Sequence, residues 1–423
     1  MNANDTQKFD LIVVGGGLGG LLTAARAAKA GRRVVVLEQA QELGGFGRSP
    51  ELGGRPVNLG PHAIYLDGPA EKALLELGVE LKGFIPGAAG FFESNGELLP
   101  LPTTALGLLT APWLTWRERV ELAWSMREVL GAPKAGVRVS DWLAGLRSER
   151  VRAFFASLIR VSTYCNANDV LTTKLAFAQL KSVLSPSARG VLYLDGGWQS
   201  VVNQLEVIAK QLGVRIRTGA KANSLSLGER VGGEGAHPRI TLSDGTTLGG
   251  DEIALALPLA AAAKLTGDAA LKTRAENAKP VRAACLDLVL KKLPKPERRL
   301  VLGLEQPTYF SVHSAPETKE NIRVHVAWYL APDDATDAQM ERTLEAFVDR
   351  IQPGWRDELV GRRYFPHLRV MEDVPREATT TLAAPLHLIS TVATTRFLFD
   401  AIAQSGSSLS LGERVGVREQ VLP

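Results

Sequence analysis

Three glycines and one glutamate near the N-terminus have the types and spacing that a diphosphate-bearing ligand requires. The glycines are Gly15, Gly17 and Gly20, in the pattern Gly-x-Gly-x-x-Gly, and the acid is Glu38. Gly15 allows a sharp turn, Gly17 leaves room for a pyrophosphate, and Gly20 allows a helix to pack closely. A carboxylate at Glu38 can accept a hydrogen bond from a ribose hydroxyl. The pattern predicts dinucleotide binding, and Leu18, within the same turn, is assigned to the site.

The elements that must position these residues are a strand, a helix and a second strand. An apolar run from Leu11 to Val14 enters the turn, an alanine-rich stretch from Leu21 to Ala30 follows, and Val34 to Leu37 leads to the acid. The helix would direct its N-terminal N–H groups and positive dipole end at the phosphates. The alternative is an ordinary βαβ unit with a tight turn.

The composition is that of a globular protein with room for two domains. Of 423 residues, 45% are apolar and 22% charged, and the formal net charge is only +4. Basic and acidic residues are interspersed, so we expect no nucleic-acid partner. Cys165 and Cys285 are far apart in sequence and are interpreted as buried apolar residues in a reducing, cytoplasmic setting. The histidines lack metal-ligand spacing, and no metal site is predicted.

A second glycine-rich segment follows the acid. Residues 44–49 read GGFGRS and residues 60–62 read GPH. With these motifs the chain resembles the FAD-dependent oxidoreductases that include phytoene desaturases, protoporphyrinogen oxidases and flavin amine oxidases, and most of all the phytoene desaturase-like branch. The resemblance implies FAD as the cofactor, and a glutamate followed so closely by two glycines favours FAD over NAD.

The resemblance also assigns cofactor-binding residues around the pyrophosphate. Gly44 and Gly45 match the glycine pair of the superfamily's Gly-Gly-Arg-x-x-Ser/Thr motif. Phe46 stands where its first arginine usually is, so Arg48 is the candidate cation. The alternative for Arg48 is an ordinary surface arginine.

Further assignments by resemblance concern the flavin ring and the adenine. Pro61 and His62 would lie beside the isoalloxazine, where His62 could hydrogen-bond flavin or substrate, or be satisfied by nearby backbone. Gly196 and Gly197 would allow close approach of flavin or substrate, and the backbone of Ala222 would contact the adenine. No catalytic residue is assigned, because a hydride that passes to a flavin needs no protein nucleophile.

The implied fold class is α/β, with a Rossmann-type, GR2-like FAD-binding domain interleaved with a mixed α+β substrate domain. The expected division is an FAD-binding domain in 1–97 and 191–280, a helical substrate-domain insertion in 98–190, the substrate-domain sheet in 281–377 and an atypical tail in 378–423. Residues 98–116 are apolar and rich in proline and tryptophan. They could guide an apolar substrate or touch a membrane surface, and the alternative is ordinary core. No secretory signal or bilayer-spanning stretch is expected.

One nine-residue segment occurs twice. Residues 224–232 recur unchanged as residues 408–416, at a spacing that fits no repeat architecture. We interpret both as translated copies of one inserted DNA element, an idea that a packed, buried copy would contradict. The second copy lies where members of the superfamily carry a Gly-Asp motif that contacts the flavin. No such motif occurs there, so the resemblance ends near residue 377.

The resemblance implies hydride removal from a C–C or C–N bond. The expected substrate is an apolar polyene such as a carotenoid precursor. A flavin amine oxidase and a protoporphyrinogen oxidase remain alternatives, and so does a truncated, catalytically impaired FAD-binding member. An aromatic cage beside the flavin would favour an amine, and a long apolar tunnel would favour a polyene.

Overall fold

The structure is a computed structural model that describes residues 8–87, 89–133, 136–184, 189–227, 237–335, 338–375 and 386–389. Its strands are β1 (Phe9–Val14), β2 (Val34–Leu37), β3 (Glu51–Leu52), β4 (Arg55–Pro56), β5 (Ile64–Tyr65), β6 (Gly83–Phe84), β7 (Phe91–Ser94), β8 (Glu97–Pro100), β9 (Val191–Leu194), β10 (Arg215–Arg217), β11 (Ala222–Ser226), β12 (Arg239–Leu242), β13 (Thr247–Leu255), β14 (Val281–Leu290), β15 (Leu300–Gly303), β16 (Thr308–Val312), β17 (Ile322–Leu330), β18 (Leu359–Met371) and β19 (Leu386–Leu388). Its α-helices are α1 (Leu18–Lys29), α2 (Pro69–Glu76), α3 (Ala105–Thr110), α4 (Trp116–Leu130), α5 (Val139–Ala144), α6 (Glu149–Thr163), α7 (Thr173–Leu184), α8 (Gly197–Gln211), α9 (Leu259–Thr266), α10 (Ala269–Glu276) and α11 (Ala338–Ile351).

The first sheet carries the glycine turn. Its order is β10-β2-β1-β13-β12-β11, with β19 beside β13, and β1 runs parallel to both β2 and β13. The strand β2 is buried throughout and β1 at all but one position, as continuous apolar runs in a parallel sheet require. The helix α1 covers one face with small buried alanines and begins at Leu18, directly after the turn. The predicted strand–helix–strand unit is confirmed.

The second sheet is mixed and has the order β18-β14-β17-β16-β15-β7-β8. One face is covered by α11, whose Leu344, Phe347 and Val348 are fully buried there. The other face packs against the helices of the insertion. The two sheets confirm the predicted α/β class and its interleaved mixed substrate domain.

One boundary differs from the expected division. The strand β7 pairs in parallel with β15 of the second sheet, and the hairpin β7–β8 continues that sheet. The boundary predicted at residue 97 therefore falls inside this hairpin. Phe92 of β7 is likewise buried in the core of the substrate domain.

The tail contributes to the first sheet, which the sequence did not predict. The strand β19 runs parallel to β13, and Ile389 is buried against α1 and α8. Of the first repeat copy, residues 224–226 form an edge strand with Ser224 and Ser226 exposed, so this part is not a buried element. Residues 228–232 and the whole second copy lie outside the described residues. None of the described helices combines the length and hydropathy that crossing a bilayer would need.

Candidate functional site

The three motif glycines have different reasons to lack a side chain. A Cβ on Gly15 would lie 2.2 Å from the Ala256 carbonyl oxygen, and one on Gly20 would lie 1.9 Å from the Gly15 oxygen. At Gly15 and Gly20, the space that a side chain would need is therefore already occupied by the protein's own backbone. A Cβ on Gly17 would meet nothing nearer than the Gly44 oxygen, at 3.8 Å. Gly17 therefore borders open space, as a glycine that makes room for a diphosphate should.

The N-terminus of α1 is free to receive an anion. Its first turn has no acidic residue and no side chain that caps it. The helices α4 and α6, by contrast, are capped by the hydroxyls of Thr115 and Ser148. Leu18 itself is buried, so its contribution to binding would come from its backbone N–H.

Glu38 is directed at the glycine turn. One carboxylate oxygen accepts a hydrogen bond from Gly16 N at 2.7 Å, and the other accepts from Ala40 N at 2.8 Å. Its backbone oxygen accepts from Ala220 N at 2.8 Å, two residues before the half-buried Ala222. A carboxylate has four lone-pair sites, so Glu38 retains capacity for a ribose hydroxyl. The structure thus brings the predicted ribose acid and the adenine-contacting segment together.

The second glycine pair lies directly on this turn. Gly44 N donates to Gly16 O at 2.9 Å, and Gly44 and Gly45 have φ of +112° and +54°. Such angles favour glycine, because a Cβ is disfavoured there. The exposed Arg48 bends back to Gly45 O, with Nε at 3.2 Å, and lies 3.9 Å from Glu42. Its guanidinium can reach a ligand at this mouth by releasing a weak surface contact.

Ser49 and Asn58 cap the helix α8, a role that the sequence did not reveal. Asn58 Oδ1 accepts from Trp198 N at 2.9 Å, Ser49 Oγ accepts from Gln199 N at 3.2 Å, and the two side chains are 2.6 Å apart. A Cβ on Gly197 would lie 2.4 Å from Ser49 Oγ. We expected Gly197 to admit the flavin or substrate, but the close approach is made by these two side chains.

The predicted flavin-side turn rests on the second sheet. Gly60 N donates to Asp287 Oδ2 at 3.3 Å, and Asp287 is fully buried in β14. Pro61 and His62 are half-buried, and His62 Nδ1 lies 3.1 Å from Gly60 O. The Nδ1 atom of His62 is therefore satisfied by backbone, which leaves Nε2 for a hydrogen bond to another group.

Asp287 is the centre of a buried polar cluster that joins the second sheet to the segment from Val57 to Gly60. Its Oδ1 is 2.7 Å from His325 Nδ1, and its Oδ2 accepts from Arg363 Nη2 at 2.8 Å. Arg363 also donates to the backbone oxygens of Val57 and Asn58, at 3.1 and 2.7 Å. The sequence did contain one signal for this cluster, an aspartate within the otherwise apolar run from Ala283 to Leu290.

Aromatic rings continue this cluster along the same face of the sheet. His313 stacks on Tyr193 with ring centroids 3.7 Å apart and lies edge-on to His325 at 4.4 Å. Tyr193 OH is 3.4 Å from Tyr309 OH. Among the described residues, His313 Nε2 and Tyr329 OH are buried without a hydrogen-bond partner. Buried polar atoms of this kind are normally satisfied, so they fit a bound molecule or water between the sheet and β9.

Burial shifts the pKa values of several ionisable groups of this face in the direction that favours their neutral forms. Burial lowers the pKa of His313 well below 6.5, and the nearby His325 and Arg323 lower it further. The pKa of His62 is lowered as well, mainly by loss of hydration. Burial raises the pKa of Tyr193 well above 10.0 and that of Tyr65 to about 12. Within the described residues, no group of three or more histidine, cysteine or acidic side chains is arranged to hold a metal ion.

Comparisons with known proteins agree with this geometry. The profile of the family described as flavin containing amine oxidoreductase matches residues 18–351. A phytoene desaturase of Fusarium fujikuroi is 26% identical over 288 residues, which cover 58% of this chain and 48% of that protein. A coproporphyrinogen III oxidase of Mycobacterium bovis is 38% identical over 102 residues, 23% of each chain. The chain spans about half the length of the phytoene desaturases it matches.

Solved structures share the fold. A putrescine oxidase triple mutant superposes with a TM-score of 0.75 over 95% of this chain and 98% of that one, at 15% identity. At this level of identity the likeness establishes the fold alone.

Two glycine substitutions should separate binding from folding. Gly17→Ala places its methyl group in open space at a permitted φ of −73°, so we expect unchanged stability but FAD binding weakened about tenfold or more. Gly20→Ala forces a clash with backbone and should destabilise the fold by about 1–3 kcal/mol. Urea unfolding and flavin fluorescence titration measure the two effects.

The matched control is Gly87→Ala, where the methyl group also meets open space but lies away from the turn. This variant should change neither the free energy of unfolding nor the affinity for FAD. Undiminished FAD affinity in Gly17→Ala would contradict the assignment of the diphosphate to this turn.

His313 and His62 should make the protein acid-sensitive. Their folded pKa values lie below the unfolded value, so the unfolded chain takes up protons first and stability falls as pH drops below about 6.5. Each such histidine contributes a slope of up to about 1.4 kcal/mol per pH unit. Urea unfolding between about pH 5.5 and 7.5 should therefore show a shallower slope for His313→Phe, which keeps the ring stack. A parent stability that does not change over this range would refute the prediction.

Proposed function

Because the chain belongs to the flavin-containing amine oxidoreductases, we propose that it is an FAD-dependent oxidoreductase that removes a hydride from an apolar substrate. The observation that carries the proposal is the open cradle at Gly17, in a chain whose family match covers residues 18–351. FAD, when bound, supplies the hydride acceptor.

The chain's own residues would bind and orient the cofactor. The glycine turn and the uncapped N-terminus of α1 hold the diphosphate, Glu38 holds the ribose, and Arg48 adds a positive charge. On the other side, Asp287 and Arg363 hold the segment from Val57 to Gly60 in place. The buried aromatic face excludes water from the region that this segment borders.

The substrate we propose is an apolar polyene, as in carotenoid desaturation. The likeness to proteins named phytoene desaturases supports this class. The charges of the Asp287 cluster support it too. Asp287 already accepts from Arg363 and His325, so it offers no free carboxylate to an ammonium group. A neutral, apolar substrate gives up no charge hydration when it enters such an environment. A cationic substrate would lose its hydration without gaining a carboxylate partner.

A flavin amine or porphyrinogen oxidase is the second candidate. The tyrosines beside His313 favour it, because aromatic faces can accommodate a cationic or a planar substrate. A third reading, a catalytically impaired FAD-binding protein, rests on the lack of a Gly-Asp motif in residues 378–423.

Anaerobic spectroscopy of the FAD-reconstituted protein discriminates these readings. We expect the visible absorbance of the flavin to be lost when phytoene is added in detergent micelles, and to persist with putrescine or coproporphyrinogen III. Loss of absorbance with putrescine or with the porphyrinogen, and not with phytoene, would establish the second candidate. Protein that retains no flavin after reconstitution, or whose bound flavin none of the three reduces, would favour the third. Gly17→Ala serves as the control for detergent and free flavin.

A further inference from the structure

The helices α3 and α4 present large apolar side chains to solvent. On α4, Trp116, Val120 and Trp124 are 68%, 50% and 65% exposed, and on α3, Leu106 and Leu109 are 69% and 50% exposed. We call these five residues the α3–α4 patch. The other tryptophans are less exposed, since Trp113, Trp198 and Trp355 are buried and Trp142 and Trp328 are half-buried. A surface with two exposed indoles therefore needs an explanation.

The patch is one continuous surface. Trp116, Val120 and Trp124 are four residues apart, and at 100° per residue they form a narrow stripe along α4. The opposite side of the helix, with Leu122, Ser125 and Val129, is buried. Between the stripe and α3 lies a shallow groove of about 350 Å³, lined by Leu109, Arg119, Val120, Ala123, Trp124 and Arg127. The helix α4 thus has apolar residues on two opposite faces, and only one of these faces is buried in the protein.

Positive charge surrounds the patch. The guanidinium of Arg117 lies 5.3 Å from the ring centroid of Trp116, and that of Arg127 lies 5.8 Å from that of Trp124. Arg119 lines the groove and donates to the Ala111 backbone oxygen. Each exposed indole is therefore paired with a cation.

The carboxylates of α4 are directed to the protein. Glu118 accepts from Ser148 Oγ at 2.9 Å and from the backbone of Thr115. Glu121 accepts from Ser148 N at 3.0 Å, and Glu128 accepts from Trp142 Nε1 at 2.8 Å. All three acids of the helix are engaged in these bonds, so the stripe itself combines apolar and basic residues without an acidic one.

From this arrangement we propose that the α3–α4 patch docks the protein on an anionic phospholipid membrane. Tryptophan prefers the membrane–water interface, because its ring is apolar and its N–H is polar. Arginines at the same level attract acidic headgroups. A second protein surface would need acidic groups facing these arginines to match them, and lipid supplies such charges without a specific shape. The orientation would place the helical insertion, and not the glycine turn, against the membrane.

Vesicle flotation of the full chain tests the proposal. We expect binding to vesicles of phosphatidylcholine with phosphatidylserine, weaker binding to phosphatidylcholine alone, and a loss of binding at high salt. The double variant Trp116→Ser/Trp124→Ser should weaken binding about tenfold or more, because two large apolar side chains no longer insert. Arg117→Glu/Arg127→Glu should remove the preference for anionic vesicles.

The matched control is Leu75→Ser/Val207→Ser, which removes two side chains that are 52% and 53% exposed on other helices. It should bind vesicles like the parent. Equal binding by both serine double variants, or no binding by the parent, would overturn the proposal. So would a parent dimer in sedimentation velocity that the tryptophan variant abolishes while vesicle binding is absent, because the patch would then be an interface between copies. Circular dichroism and thermal unfolding establish that each variant is folded.

Discussion

The hydrogen bond from Gly16 N to the carboxylate of Glu38 holds the candidate cofactor site together. It joins the turn after β1 to the end of β2, and Gly44 N and Ala220 N attach two further segments to the same residues. A charge-assisted bond of this kind contributes about 1.5–3 kcal/mol. Three segments within residues 16–44 and a fourth at Ala220 are thereby joined beside the uncapped end of α1. The position of Glu38 is thus fixed before any ligand arrives, which reduces the entropic cost of binding.

A second constraint joins this half of the molecule to the substrate side. Asp287 and Arg363 form a buried ion pair, and each also bonds backbone in the segment from Val57 to Gly60. Burying two charges is costly, so such a pair adds little net stability, but loss of one partner leaves an unpaired charge that costs about 3–5 kcal/mol. Its effect is therefore geometric. It sets the distance between the second sheet and the turn assigned to the flavin.

The sequence predicted the strand–helix–strand unit of the first sheet and the class of cofactor, because those features depend on local patterns. Glycine spacing, a continuous apolar run and an acid at the end of a strand are all encoded within about thirty residues. The Asp287–Arg363 pair, the β7–β15 pairing and the addition of β19 were missed. Each joins residues far apart in sequence, and no periodicity within either partner specifies the other. Gly197 shows the same limit, since its glycine was recognised but the side chains that require it, Ser49 and Asn58, were not.

The substrate follows less directly from sequence than the cofactor does, for a physical reason. A diphosphate has fixed charge and geometry, so the backbone around it is constrained in any protein that binds it. An apolar substrate requires only a neutral, dry surface, and many side chains can supply one. The candidate surface for it is the row of aromatic rings formed by Tyr193, His313, Tyr309 and Tyr329. Its polar atoms can be satisfied in several ways, and the chemistry selected at this face therefore depends on which bound molecule satisfies His313 Nε2 and Tyr329 OH.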